Sequence, residues 1–153
     1  MMEIDQKNRR ILHALQANGR LSNLELADRV GLSPTATAER VKRLTRGGFI
    51  LGYVARLSPE KLGRGMIVFV EVKLERTSDA VFSEFKSAVC DLADVMECHM
   101  VAGGFDYLVK ARVENMAAYR AFLSEKLLAL PGVRETHTYA VMEEVKNTSE
   151  IAF

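Results

Sequence analysis

An α+β protein of two modules, three helices and a short wing in the first and strands with helices in the second, is what this 153-residue sequence predicts. Three observations carry that reading. Helix caps and helical apolar spacing crowd the first 46 residues. Beyond residue 66, four strand-like runs and two helical ones follow in the order βαββαβ, a ferredoxin-like arrangement. Between them SPEKLGRG (58–65), with one proline and two glycines, has the composition of a linker. The expected boundaries are 1–57, 58–65 and 66–153.

The first helix is capped by Asp5, carries Ile11, Leu12 and Leu15 at helical spacing, and stops at Asn18-Gly19. Ser22 and Glu25 then form a capping box, each side chain able to bond the other residue's backbone N–H. On this second helix Leu24, Ala27 and Val30 are expected to face inward, with Gly31 as a left-handed stop. Ser33 caps a third helix whose first residue is Pro34, where a missing N–H costs nothing. Two short helices joined by a glycine-containing turn make a helix-turn-helix.

Along the third helix, Ala38, Val41 and Leu44 make the expected buried stripe, leaving Thr35, Thr37, Arg40, Lys42, Arg43 and Arg46 outward. Four cations within seven positions repel one another on an isolated helix. A phosphate backbone turns that repulsion into attraction and counterion release, so double-stranded DNA is the expected partner. Ser33, Thr35, Ala36 and Thr37 are short enough for close approach to base edges. Arg40 can reach a base or a phosphate, and Lys42, Arg43 and Arg46 are expected as phosphate anchors. After the Gly47-Gly48 stop, Phe49, Ile50, Tyr53, Val54 and Leu57 suggest a short β-wing, completing a winged helix-turn-helix.

In the second module MIVFVEVKLE alternates Val68, Val70, Val72 and Leu74 with Ile67, Phe69, Glu71 and Lys73. SDAVFSEFKSAVCDL is a helix bearing Val81, Phe82, Phe85, Val89 and Leu92. VMECHMVAG and DYLVKARV are strands joined by Gly103-Gly104-Phe105-Asp106. ENMAAYRAFLSEKLLALPG is a helix with Met116, Tyr119, Leu123, Leu127 and Leu130 on its stripe, and VRETHTYAVMEEVK is the last strand. Both helices fall on one sheet face. The other face carries Ile67, Phe69 and an apolar share of strand 95–101, and is expected to pair with a second subunit.

Charge is uneven along the chain. Residues 1–60 carry ten Lys/Arg against six Asp/Glu, a net +4, and residues 61–153 carry eleven against fourteen, a net −3. That split fits a module for a polyanion beside a module for something else. No apolar run approaches the roughly 20 residues of a membrane span, and the charged N-terminus lacks a secretory stretch, so a soluble cytoplasmic protein is expected. Cys90 and Cys98 make no CxxC. Cys98 and His99 are neighbours on a strand and point to opposite faces, His13 and His137 are isolated, and no phosphate-binding glycine loop is present. No metal, cofactor or catalytic set is expected. The residues alone leave open a nucleoid-organising protein and a metabolic amino-acid-binding module.

NGRLSNLELADRVGLSPT and ERVKRL, GFILGY, ECHMVAGGFDYLVKARV and LPGVRETHTYAVMEEVK, in this order, resemble the Lrp/AsnC or feast/famine regulators of bacteria and archaea, nearest the leucine-responsive members. The likeness runs from about residue 3 to 147. It implies a DNA-binding transcription regulator, not an enzyme, with a ferredoxin-like (RAM) effector module and homodimers that assemble to an octamer. It further implies an amino-acid effector, leucine first, bound between dimers. By motif the effector residues are Met100, Gly103, Gly104, Phe105, Asp106, Met116, Thr138, Tyr139, Ala140 and Val141. The ammonium of an amino acid would find its acceptor in Asp106. The family loop usually reads GDFDY, where this chain has Gly104 for the first aspartate. Its recognition helix commonly reads SPTPC, where this chain has Ala36 and Thr37.

Overall fold

A computed structural model describes residues 4–76 and 78–153. The chain divides into two units, one running to Arg56 and taking in Asn147–Phe153, the other spanning Leu57–Lys146. The last seven residues were expected in the second module and belong to the first. The linker expectation 58–65 falls inside the second unit, where residues 59–63 form turns.

The reader unit contains α1 (Gln6–Ala17), α2 (Asn23–Val30) and α3 (Pro34–Arg46). Every cap the sequence suggests is present. Asp5 accepts the Asn8 N–H, Ser22 and Glu25 close a reciprocal capping box, and Gly31 ends α2 at φ 64°. Ser33 accepts the Ala36 N–H, with Pro34 opening α3. Ile11, Leu12, Leu26, Val30 and Leu44 form the core.

Two stripes are shifted from expectation. Leu26, not Leu24, is buried on α2, and Leu24 is 69% exposed. On α3 Thr37 takes the place given to Ala38 and is fully buried, its hydroxyl donating to the Ser33 carbonyl at 3.0 Å. That bond lets a threonine sit inside without an orphaned hydroxyl.

No β-wing forms, because residues 50–58 find no partner strand. Leu51, Val54 and Leu57 stand exposed, Val54 at 90%. Tyr53 lies against Gly19, whose missing side chain makes room: a Cβ there would come within 2.9 Å of the Tyr53 ring. The tail instead packs on α1. Phe153 stacks on His13 with ring centroids 4.3 Å apart. Gln16 and Ile151 exchange two hydrogen bonds, at 3.0 and 2.8 Å.

The second unit contains β1 (Met66–Leu74), α4 (Asp79–Cys90), β2 (Val95–Met100), β3 (Tyr107–Val113), α5 (Met116–Ala121) and β4 (Val133–Ala140). Its antiparallel sheet has the order β2-β3-β1-β4. Val68, Val70 and Val72 pack with Phe85, Val89, Tyr119 and Phe122 beneath the helices. The helix expected to run on from α5 widens to a π-helical turn over Phe122–Leu127, where Leu128 N–H reaches the Leu123 carbonyl at 2.9 Å. Bonding five residues apart brings Phe122 and Leu127 toward one side, and both are buried.

The open sheet face is not the apolar surface expected. A register shift between Val95 and Glu97 turns Cys98 toward the core and leaves Glu97 and His99 on the open side. Glu97 accepts from Lys110 at 2.9 Å, and the Lys110 ammonium lies 6.0 Å above the Phe69 ring. Ile67 is covered within the chain, where Val141 N–H bonds its carbonyl at 3.0 Å. Arg112, also buried, bonds both carboxylate oxygens of Glu144 at 3.1 and 3.0 Å.

Candidate functional site

The candidate nucleic-acid face lies on α3. Ser33 and Thr35 are exposed and Ala36 half-buried, while Lys42, Arg43 and Arg46 project to solvent. Thr37 departs from this set, since a buried side chain bonded inward has no route to a base edge. Arg40 is also turned inward: its Nη1 donates to Asp5 Oδ2 at 2.6 Å and to Asn8 Oδ1 at 2.9 Å. That guanidinium, with the Asn8 N–H bond, holds the Asp5 carboxyl below the ordinary carboxylate range. Asn23 supports the helix start by donating to the Pro34 carbonyl at 2.8 Å.

The candidate effector site centres on the loop between β2 and β3. Gly103 and Gly104 are exposed, and a Cβ at either would meet no atom within 4 Å. Neither has a positive φ. The fold of the single chain therefore requires glycine at neither position. Asp106 closes the loop: its N–H donates to the Val72 carbonyl at 3.0 Å, and its Oδ2 accepts the Leu74 N–H at 2.7 Å. One carboxylate oxygen is thus tied to β1.

Gly104 and Phe105 line an open cavity of about 160 Å³ together with Glu71, Lys73, Glu135 and His137. The last four were not singled out from the sequence. Cross-strand pairing of Glu71 with His137 and of Lys73 with Glu135 brings them together, a register that alternation along one strand does not disclose. Tyr139 lies on the same face and donates to Glu71 Oε1 at 3.1 Å, a bond that raises its phenol above the ordinary value.

The other motif-derived residues do not converge on this cavity. Thr138 lies one position from Tyr139 and so on the opposite face, where its hydroxyl bonds that of buried Tyr119. Met100, opposite Tyr107, and Met116 at the start of α5 are both half-exposed. Ala140 is exposed and Val141 half-buried. Among the described residues no three His, Cys, Asp or Glu gather as a metal site, and no helix is long and apolar enough to cross a membrane.

Two family models match the chain. The Lrp/AsnC ligand binding domain covers residues 67–151, and the AsnC-type helix-turn-helix domain covers residues 4–45. The leucine-responsive regulatory protein of Klebsiella pneumoniae is 54% identical over 149 residues, 97% of this chain and 91% of that protein. Its Escherichia coli K12 counterpart is 53% identical over the same shares. Among solved structures, the transcriptional regulator NMB0573 of Neisseria meningitidis, in complex with L-Met, superposes with a TM-score of 0.93 at 34% identity, covering 98% of this chain and 97% of that one. AsnC of E. coli gives 0.89 at 26% identity, covering 97% and 99%.

Proposed function

Because the chain belongs to the Lrp/AsnC family of transcription regulators, we propose that its homodimer presents α3 to operator DNA. We further propose that a free amino acid held beside Gly103–Asp106 shifts its assembly and DNA affinity. The chain is a regulator rather than an enzyme, with a helix-turn-helix domain and a ligand-binding domain. Leucine is the first candidate effector, by likeness to leucine-responsive relatives, and methionine joins it through the L-Met complex of the Neisseria regulator.

The observation that carries the effector site is the pair of unobstructed glycines. With no side chain at either position and no atom of the chain within 4 Å of where a Cβ would stand, the loop backbone is open to close approach by a ligand. The cavity beside Gly104, about 160 Å³, is smaller than the roughly 300–1,000 Å³ of a complete small-molecule pocket. That favours a site finished by another subunit. Of the motif-derived residues, Gly104 and Phe105 line the cavity, Tyr139 reaches its Glu71 by a hydrogen bond, and Asp106 keeps one carboxylate oxygen for an ammonium.

Dimerisation is supported by the extended run 50–57, whose Leu51 and Val54 are exposed and whose backbone joins no ladder. Four such dimers in a ring are the assembly we propose, acting in the cytoplasm. A thermal-shift screen over the twenty amino acids, followed by operator titration with each hit, tests the reading. Leucine or methionine should raise the midpoint and change operator affinity or particle size. Promoter-indifferent binding that no amino acid alters would favour the nucleoid-organising alternative.

A further inference from the structure

Arg40 stands where a DNA-reading arginine is expected, yet its surroundings are those of a structural tie. Its side chain is only 24% exposed. On α3 it lies three residues after buried Thr37 and four before buried Leu44, so helical geometry puts it on the protein side of the helix. Thr35, Lys42, Arg43 and Arg46 occupy the solvent side.

Its partner serves two helices. Asp5 uses Oδ1 to accept the Asn8 N–H at 2.7 Å, the cap that starts α1, and Oδ2 to hold Arg40 at 2.6 Å. Asn8 is itself buried, and its side-chain oxygen takes a second bond from the same Arg40 nitrogen at 2.9 Å. A charge-assisted pair fixed at both ends is a strong geometric constraint. We propose that Arg40 is a positioning residue: through Asp5 and Asn8 it sets the rotation of α3 against α1, and it neutralises no phosphate itself. The proposal rests on α3 being the recognition helix.

The competing reading makes Asp5 a stand-in for phosphate that withholds Arg40 from DNA, and the two differ in sign. Operator affinity is measured across a salt series for wild type, Arg40→Ala, Asp5→Ser, the double variant and Lys42→Ala. Serine at position 5 keeps a side-chain cap for α1 while removing the partner of Arg40. As a positioning residue, Arg40→Ala and Asp5→Ser each weaken binding by roughly tenfold, as expected for a lost bond to a charged group. Their plots of log affinity against log salt run parallel to wild type, and the double variant is no worse than either single one.

Tighter binding by Asp5→Ser, or a salt slope shallower by about 0.9 in Arg40→Ala, overturns the proposal, as does unchanged affinity in both. If Arg40→Ala loses its helical circular dichroism, the sign of the Asp5→Ser effect decides alone. Lys42→Ala should reduce the slope by about 1. An unchanged slope there refutes the recognition-helix reading independently of the tie.

Discussion

Asp106 holds the backbone N–H of Leu74 at 2.7 Å, at the point where the pairing of β1 with β4 shifts register between Lys73 and Leu74. The carboxylate therefore pins a sheet irregularity, and any ligand role comes in addition. Asp106→Ala should destabilise the second unit by about 1.5–3 kcal/mol, the range for a hydrogen bond to a charged group, and should blunt the amino-acid thermal shift. Asp106→Asn keeps an acceptor for Leu74 and should restore most of the stability but not the shift. Urea denaturation and ligand titration of both variants separate the two effects.

Gly104→Ala should leave the ligand-free protein within about 0.5 kcal/mol of wild type, as for an ordinary surface substitution, because the added methyl meets nothing in the chain. The amino-acid response should nevertheless weaken. An unaltered response, with unaltered particle size, would remove this loop from the effector site.

Acid should destabilise the protein. Arg40 lowers the Asp5 carboxyl, bonds from Ser22 lower Glu25, and Lys110 followed by His99 lowers Glu97. A carboxyl depressed in the folded state contributes stability above its unfolded value and loses it as pH falls through its folded value. Melting temperature should be flat near neutrality and drop once pH enters the ordinary carboxylate range, about 4–4.5. A midpoint that rises on acidification would contradict these pairings.

Tyr107 is buried between Phe85 and Phe82, at centroid distances of 4.5 and 6.1 Å, and its hydroxyl has no hydrogen-bond partner among the described residues. Tyr107→Phe removes an unpaired polar group without opening a cavity. It should stabilise the second unit by about 1 kcal/mol, read as a higher urea midpoint at constant slope.

Local chemistry was legible in the sequence, and long-range choices less so. Asp5, Ser22, Glu25, Gly31 and Ser33 announce their helix ends because capping involves residues only three or four apart. Val68, Val70 and Val72 declare their face by alternation. Leu24 and Leu26 both satisfy a helical stripe, and only packing against α1 and α3 selects Leu26. Thr37 reads as polar until its hydroxyl finds the Ser33 carbonyl. Glu97 and His99 change faces through a bulge that leaves no compositional trace. Arg40 looks like a free cation because its partners lie 32 and 35 positions away.

The seven terminal residues carry a consequence for chain topology. With Phe153 on His13 and Ile151 on Gln16, the reader is assembled from both ends of the polypeptide, and residues 57–146 form an insertion within it. The chain thus crosses between the units twice, once after Arg56 and once before Asn147. A reader fragment cut at residue 57 lacks part of its own packing.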